Sequence, residues 1–166
     1  MAEPSKHRIV VIGGGYAGLT AAARIGENAP SADITLIDAK DQFVERIRLH
    51  EVASGGAERH LPYADFMTAR NGRFIRARVT EIDAEPRSVR LARSTGATDT
   101  IEYDTLIYAP GSFTDMWTVA GVDRFAAGLD TLEECRAIAA QLEALAKSNG
   151  RVLIAGGGLT AIEAAC

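Results

Sequence analysis

The chain has 166 residues, a net charge of −4 and 47% hydrophobic residues, which is the composition of an ordinary globular protein. The mild acidity gives no electrostatic basis for binding nucleic acid or anionic membranes, and no apolar run reaches the roughly eighteen residues of a membrane-spanning helix. The N-terminus lacks the apolar stretch of a signal peptide, so the sequence predicts a cytoplasmic protein.

The cysteines and histidines give no sign of a metal or redox centre. Cys135 and Cys166 are far apart and match no metal-binding or redox spacing. We interpret Cys135 as a small core residue. His7 and His60 have no partner at metal-binding spacing and are interpreted as surface residues. The sequence therefore predicts no metal site, and no side chain is predicted to be catalytic.

Residues 8–18, RIVVIGGGYAG, predict a strand, a glycine-rich turn and the start of a helix. The β-branched run at residues 9–12 is typical of a buried strand, and Gly13, Gly15 and Gly18 follow it with the spacing G-x-G-x-x-G. In such a turn the first glycine permits a sharp bend, the second lets a pyrophosphate approach the backbone, and the third lets the helix pack closely. The helix N-terminus offers N–H groups to the phosphates.

A second predicted strand, at residues 33–37, ends in Asp38. This acid lies twenty residues after Gly18, where a carboxylate that binds a ribose is expected. The strand, turn, helix and acid together are far more specific than the glycine spacing alone. The sequence therefore predicts a dinucleotide-binding turn.

The stretch from residue 39 to residue 70 has weak periodicity. It predicts one or two short helices around a loop at residues 54–56. Its charged side chains include Arg46, Arg48 and His50. They are interpreted either as a solvated face or as neighbours of a bound cofactor, and the sequence leaves both interpretations open.

A three-stranded β-meander is predicted next. Residues 74–83 alternate between apolar and polar side chains and predict one continuous strand. Val89 and Leu91 alternate in the following strand, residues 94–98 turn back, and residues 100–103 form the third strand. Residues 105–109, TLIYA, then predict a buried strand that ends at a Pro-Gly-Ser turn.

The best helical pattern covers residues 131–148. Thr131 and Glu134 form a capping box, T-x-x-E, and Asn149-Gly150 ends the helix. One apolar face recurs at three- and four-residue spacing: Leu132, Cys135, Ile138, Ala139, Leu142, Leu145 and Ala146.

The opening pattern then repeats. Residues 151–155, RVLIA, predict a second buried strand, and Gly156, Gly158 and Ala161 follow it as G-x-G-x-x-A. Alanine is accepted at the third position because that position needs only a small residue. Two such turns in one chain are far more specific than either turn alone.

These motifs resemble the N-terminal part of the two-dinucleotide-binding-domain FAD/NAD(P)H oxidoreductases of the pyridine nucleotide-disulfide oxidoreductase superfamily, in particular the type II NADH dehydrogenase and apoptosis-inducing-factor-like branch. GGGYAG with Asp38 matches the FAD turn. Residues 100–112, TIEYDTLIYAPGS, are similar to the second FAD motif, and residues 155–163, AGGGLTAIE, to the NAD(P)H turn. Residues 37–56 also resemble this branch. No cysteine precedes Cys135, so the redox pair of the disulfide reductases is absent.

The resemblance implies an α/β fold with two parts. Residues 1–125 would form a Rossmann-like FAD-binding domain with the inserted three-stranded β-meander. Residues 126–166 would supply a connecting helix and the start of a second Rossmann-like domain. Because a complete βαβ unit needs about thirty residues or more, we expect the chain to be an N-terminal fragment.

The resemblance further implies an FAD-dependent NAD(P)H oxidoreductase that transfers a hydride from NAD(P)H to FAD and then electrons to a quinone or other small acceptor, with full turnover not expected from this chain alone. It assigns to FAD the residues Gly13, Gly15, Tyr16, Ala17, Gly18, Asp38, Ala39, Lys40, Arg46, Val79, Ala109, Pro110 and Gly111. It assigns to NAD(P)H the residues Gly156, Gly158, Leu159, Thr160 and Glu163. It also leaves open a homodimer, and membrane contact through the family's C-terminal part.

Three alternatives remain at this stage. The chain could be a nucleotide-binding module without turnover, or an inert chain that misassembles through an exposed strand edge at residues 152–155. It could also be a single-domain NAD dehydrogenase that uses only the turn at Gly13–Gly18. The second glycine-rich turn and the meander disfavour this last alternative.

Overall fold

The structure, a computed structural model, describes residues 6–166. Its elements in chain order are β1 (Arg8–Ile12), α1 (Tyr16–Asn28), β2 (Asp33–Asp38), β3 (Gln42–Phe43), a 3₁₀ turn (Arg46–Arg48), α2 (Leu49–Ala53), β4 (Leu61–Pro62), α3 (Tyr63–Thr68), β5 (Arg73–Arg76), β6 (Arg78–Asp83), β7 (Ser88–Ala92), β8 (Thr98–Glu102), β9 (Thr105–Tyr108), α4 (Val122–Phe125), α5 (Leu132–Lys147) and α6 (Leu159–Ala165).

These elements form two compact units. The first runs up to Phe43 and resumes over His60–Gly111, and the second comprises Val44–Arg59 and Ser112–Cys166. The domain ranges suggested by the sequence, 1–125 and 126–166, describe functional domains and stay a prediction.

The first unit is built on a parallel four-stranded sheet with the strand order β5-β2-β1-β9. In β1, Arg8 lies opposite Asp33 of β2, and Ile9 lies opposite Thr105 of β9. The central strands β1 and β2 are rich in β-branched and apolar residues, which suit a sheet that is covered on both faces. The Rossmann-like fold class and the strands predicted at residues 9–12 and 33–37 are confirmed.

Successive side chains of β1 enter two different cores. Val11 packs with Leu19 of α1 on one face, while Val10 and Ile12 pack with Val89 of the meander on the other. This alternation follows from the two-residue period of a strand. Burying one such side chain contributes about 1.5–3 kcal/mol, so the apolar run fixes the strand that leads into the glycine-rich turn.

The predicted meander is present as the antiparallel sheet β6-β7-β8. The prediction of one continuous strand over residues 74–83 is wrong, because the chain divides at Ala77 into β5 and β6. Strand β5 pairs with β2, and the Ala77 amide still donates to the Asp38 carbonyl at the end of β2, at 2.9 Å. Beyond that point β6 pairs with β7 instead. Both strands keep the two-residue period, so the alternation pattern does not reveal the break.

The strand predicted at residues 105–109 forms, but its burial was predicted wrongly. Leu106 and Ile107 are half-buried, and Tyr108 is 66% exposed. Within residues 6–166, β9 pairs only with β1 and so lies at an edge of the parallel sheet. An edge strand leaves one line of its backbone groups accessible.

The stretch of weak periodicity contains α2, α3 and the 3₁₀ turn, so the prediction of short helices there is confirmed. Helix α2 belongs to the second unit and contributes Leu49 and Val52 to its core. Helix α5 contributes Leu132 and the fully buried Cys135 to the same core. The interpretation of Cys135 as a core residue is therefore confirmed.

Helix α5 begins as predicted. The Thr131 hydroxyl accepts a hydrogen bond from the Glu134 amide at 3.1 Å, and the Glu134 carboxylate accepts one from the Thr131 amide at 3.0 Å. The predicted apolar face is buried only at its N-terminal end, at Leu132 and Cys135. Leu142 and Leu145 are half-buried.

The strand predicted at residues 151–155, just before the second glycine-rich turn, does not form. These residues have no regular structure, and Val152, Leu153 and Ile154 are 58%, 92% and 40% exposed. A strand needs a neighbour for its backbone hydrogen bonds, and no strand of residues 6–166 pairs with this segment. The prediction of a buried strand at residues 151–155 is therefore wrong, because an apolar, β-branched composition forms a strand only where a neighbouring strand pairs with it.

None of the helices in residues 6–166 has both the length and the apolar composition that crossing a membrane would require.

Candidate functional site

The glycine-rich turn follows β1 directly and bends because of Gly13. Gly13 has φ +95°, and its amide donates to the Ile37 carbonyl at 2.8 Å. A Cβ at Gly13 would lie 2.1 Å from the Ala109 carbonyl oxygen, and a Cβ at Gly18 would lie 1.8 Å from the Gly13 carbonyl oxygen. Both positions therefore require glycine for packing alone.

Gly15 is glycine for a different reason. It is the exposed N-cap of α1, in an extended conformation, and a Cβ there would meet nothing within 4 Å. Tyr16 and Ala17 are exposed beside it, whereas Gly14 and Gly18 are buried. The helix thus begins at three exposed residues, and at Gly15 no side chain covers the backbone.

The electrostatics of this helix end suit an anion. Helix α1 has thirteen residues, no side chain caps its N-terminus, and its first turn contains no acidic residue. The positive end of the helix dipole and its N–H groups are therefore not occupied by an acidic side chain of the helix itself. The residues present fit a diphosphate at this position.

Asp38 lies next to this turn, at the end of β2. Its half-buried carboxylate accepts a hydrogen bond from the Gly14 amide at 2.7 Å through one oxygen and from the Lys40 amide at 2.8 Å through the other. A carboxylate offers about four acceptor sites, so two neutral donors leave capacity for ligand hydroxyls. Ala39 and Lys40 follow as exposed residues.

The structure also brings the end of β9 to the turn. The Ala109 amide donates to the Ile12 carbonyl at 2.8 Å, and the exposed Pro110 and Gly111 follow. The turn, Asp38 and residues 109–111 thus gather at the carboxyl ends of adjacent parallel strands, where α/β folds bind ligands. Val79 lies in β6 and packs against the core beneath the meander.

Sequence reasoning missed Tyr63, which lies behind the turn. Tyr63 is 3% exposed, and its hydroxyl donates to the Gly14 carbonyl at 2.9 Å. A Cβ at Gly14 would lie 2.3 Å from Cζ of this ring, so a glycine at a variable position of the motif is also required. The only sequence signal was a glycine at residue 14, between the motif positions Gly13 and Gly15, and nothing in the sequence connects it with residue 63.

The second glycine-rich turn lies in the second unit. Gly156 has φ +136°, and Gly158 is the N-cap of α6, which has seven residues. Leu159 and Thr160 are exposed, and the Glu163 carboxylate lies 3.4 Å from Nδ1 of His50 in α2. Because residues 151–155 form no strand, this turn lacks the strand support that the first turn has.

Arg46 has protein partners in the second unit. Its guanidinium donates to the Ser112 carbonyl and to the Asp130 carboxylate, which also accepts the Thr114 amide at 2.7 Å. Partial burial works to raise the pKa of Asp130, but the hydrogen bonds from Thr114 and Arg46 outweigh it and hold that pKa below its usual value. Arg48 pairs with Glu51 at 2.8 Å.

Among the described residues, no cluster of acidic, histidine or cysteine side chains could hold a metal ion. Cys135 and Cys166 are both free.

A sequence model of the pyridine nucleotide-disulphide oxidoreductases matches residues 7–166. The chain belongs to this family.

Two curated relatives are similar to this chain over nearly its whole length. The demethylphylloquinone reductase of Synechocystis sp. is 28% identical over 171 residues, which cover 97% of this chain and 42% of the relative. The type II NADH:quinone oxidoreductase of Staphylococcus haemolyticus is 28% identical over 178 residues, which cover 98% of this chain and 43% of the relative. These relatives confirm the resemblance to the type II NADH dehydrogenase-like branch, and the chain spans about two fifths of their length.

Among solved structures, the chain is similar to the sulfide:quinone oxidoreductase of Aquifex aeolicus. The TM-score is 0.77 at 26% identity, over 85% of this chain and 32% of that chain. The similarity confirms the Rossmann-like α/β architecture.

Proposed function

We propose that this chain carries the FAD site of an NAD(P)H oxidoreductase and the beginning of its NAD(P)H site. The observation that supports the FAD site most strongly is the exposed backbone at Gly15, with open space above it, at the N-terminus of α1 and beside the Asp38 carboxylate. A diphosphate and a ribose are the chemical groups that this pair of features matches.

Each residue has a distinct part in this proposal. Gly13 and Gly18 shape the turn, while the backbone at Gly15, Tyr16 and Ala17 binds the diphosphate. Asp38 accepts hydrogen bonds from the ribose hydroxyls, with Ala39 and Lys40 beside it. The backbone of Val79 would contact the adenine, and Ala109, Pro110 and Gly111 would line the flavin end. Arg46 stays a candidate from the sequence for contact with FAD.

When bound, FAD supplies the redox chemistry, accepting a hydride and passing electrons to a second acceptor. Gly156, Gly158, Leu159 and Thr160 would hold the diphosphate of NAD(P)H, and Glu163 would belong to the same site. The names of the two curated relatives, both quinone-reducing enzymes, support a quinone as the acceptor.

FAD binding is tested with Gly15→Val. The new side chain enters open space, so the fold should survive, while the approach of the diphosphate is blocked. We expect FAD affinity, measured by flavin fluorescence titration, to fall at least about tenfold, which corresponds to about 1.4 kcal/mol. Gly157→Val is the matched control, because Gly157 also faces open space but lies in the second turn.

Two results would contradict the FAD site. One is wild-type protein that takes up no added FAD. The other is a Gly15→Val variant that binds FAD as tightly as the Gly157→Val variant does.

A second candidate function is a cofactor-binding module without turnover. It is favoured by the absence of a strand before the second turn within the described residues. FAD-loaded protein that oxidises NADH with a soluble quinone would exclude this candidate, whereas tight FAD binding with no NADH oxidation would support it.

The homodimer and the cytoplasmic location stay proposals from the sequence. Light scattering measures the first, and fractionation of cells measures the second.

A further inference from the structure

The buried hydroxyl of Tyr63 has no part in the proposed function so far. Tyr63 is the first residue of α3, and its hydroxyl donates to the Gly14 carbonyl at 2.9 Å. On its other side, the Gly14 amide donates to the Asp38 carboxylate at 2.7 Å. The backbone of Gly14 is thus held at both its N–H and its C=O.

The held carbonyl determines where the next amide points. The Gly14 C=O and the Gly15 N–H belong to the same planar peptide, and in a trans peptide these two groups point in opposite directions. Because the carbonyl points inward to buried Tyr63, the Gly15 N–H points toward the exposed side of the turn. Gly15 is exposed, and a Cβ there would meet no atom within 4 Å, so the space around this residue is open.

The tyrosine is itself held in place. Its ring packs against Phe74 with the ring centroids 5.2 Å apart, and it leaves no room for a Cβ at Gly14. Burial, together with the nearby charges of Asp38 and Asp41, raises the pKa of Tyr63 above its ordinary value. The hydroxyl therefore keeps its proton and remains a donor at neutral pH.

We propose that Tyr63 is a positioning residue that aims the Gly15 amide at the diphosphate of the bound dinucleotide by fixing the Gly14 carbonyl. The proposal rests on the proposed FAD site. In this chain the glycine-rich turn is thus held by a side chain of α3, a helix that lies outside the strand-turn-helix motif. A merely structural tyrosine would affect stability without discriminating between ligands that have and lack phosphates.

The test compares ADP with adenosine as probes, by titration calorimetry, on the full chain. Tyr63→Phe removes the hydroxyl and keeps the ring. We expect the ADP affinity to fall about three- to tenfold, the range for loss of one hydrogen bond, while the adenosine affinity changes less than about twofold. Tyr103→Phe is the matched control, because Tyr103 is also buried and its hydroxyl donates to the Asp83 carbonyl in the meander, at 3.5 Å. It should change neither affinity.

The failures of the two proposals are distinguishable. Wild-type protein that binds neither ADP nor FAD overturns the FAD site and this inference with it. Wild-type protein that binds ADP, together with a Tyr63→Phe variant that keeps the same ratio of ADP to adenosine affinity, overturns the role of Tyr63 alone.

If the Tyr63→Phe variant fails to fold, a measurement on the wild-type protein tests the inference instead. In the wild-type protein labelled with ¹⁵N, ADP should shift the Gly15 amide resonance strongly, and adenosine should not. An unmoved Gly15 amide in the ADP complex overturns the inference.

Discussion

Three consecutive glycines serve three different purposes in this chain. Gly13 permits a left-handed bend against Ala109, Gly14 makes room for the Tyr63 ring, and Gly15 keeps the backbone open. The first and the last follow from the family motif, and the middle one follows from a contact that the sequence does not reveal.

This difference predicts losses of stability of different size for two neighbouring substitutions. Gly14→Ala places a methyl group 2.3 Å from Cζ of Tyr63 and should lower the free energy of unfolding by about 1–3 kcal/mol, as overpacking does. Gly15→Ala meets no atom and should cost about 1 kcal/mol or less, mostly through its weaker N-cap. Urea unfolding of the FAD-free protein measures both. Equal losses of stability in the two variants would contradict the separate roles of Gly14 and Gly15.

At the scale of elements, the edge strand β9 is held to β1 by a charged contact at its start. The Arg8 amide donates to the Asp104 carboxylate at 2.7 Å, and the Arg8 guanidinium donates to it at 3.0 Å. These hydrogen bonds from Arg8 lower the pKa of Asp104 to about 2. The contact lies at the end of the strand opposite to the proposed FAD site.

The lowered pKa of Asp104 predicts a pH dependence of stability. The contribution of Asp104 is complete above the ordinary aspartate pKa of about 3.9 and is lost as the pH falls through about 2. Wild-type protein should therefore be more stable than Asp104→Asn at pH 5, and the difference should shrink toward pH 2. Urea unfolding midpoints across this range measure it. A difference that stays constant with pH would contradict the role of the Asp104 charge.

The capping box of α5 predicts a loss of stability for Thr131→Ala. Removing the hydroxyl leaves the Glu134 amide without its cap and should cost about 1 kcal/mol. Ser148→Ala, at the other end of α5, is the control and should stay within about 0.5 kcal/mol. Circular dichroism during urea unfolding compares the two variants. A Thr131→Ala variant as stable as the control would contradict the prediction.

Local sequence signals predicted the elements that depend on local interactions. Residues only a few positions apart determine three of these features: the Thr131 capping box, the turn at Gly13 and the alternation of Val89 and Leu91. The errors concern partners far away in sequence: the break at Ala77, and the strand at residues 151–155 that finds no neighbour. Tyr63 belongs to the same class, since its contact with Gly14 spans 49 residues.

At the scale of the whole molecule, the chain exposes apolar side chains at residues 151–155, where a strand was predicted before the second glycine-rich turn. Leu153 is 92% exposed and Val152 is 58% exposed. Contiguous apolar exposure favours association. The structure thus keeps open the alternative in which the chain misassembles through these residues.

We expect the chain to self-associate as its concentration rises, and Leu153→Lys to reduce this association. The charge makes burial of the segment costly, and the substitution disturbs no contact of a buried side chain. Light scattering over a concentration series measures the effect, with Lys147→Leu as the control at another exposed position. Association that is unchanged in Leu153→Lys would exclude this segment as its cause.

The core of the second unit has a consequence for synthesis on the ribosome. Its two halves, Leu49 and Val52 in α2 and Leu132 and Cys135 in α5, are separated by about 80 residues of chain. At translation rates of about 5–20 residues per second, α2 waits roughly 4–16 s before α5 is made. During that delay the apolar side chains of α2 have no partner from α5, so this core can form only late in synthesis.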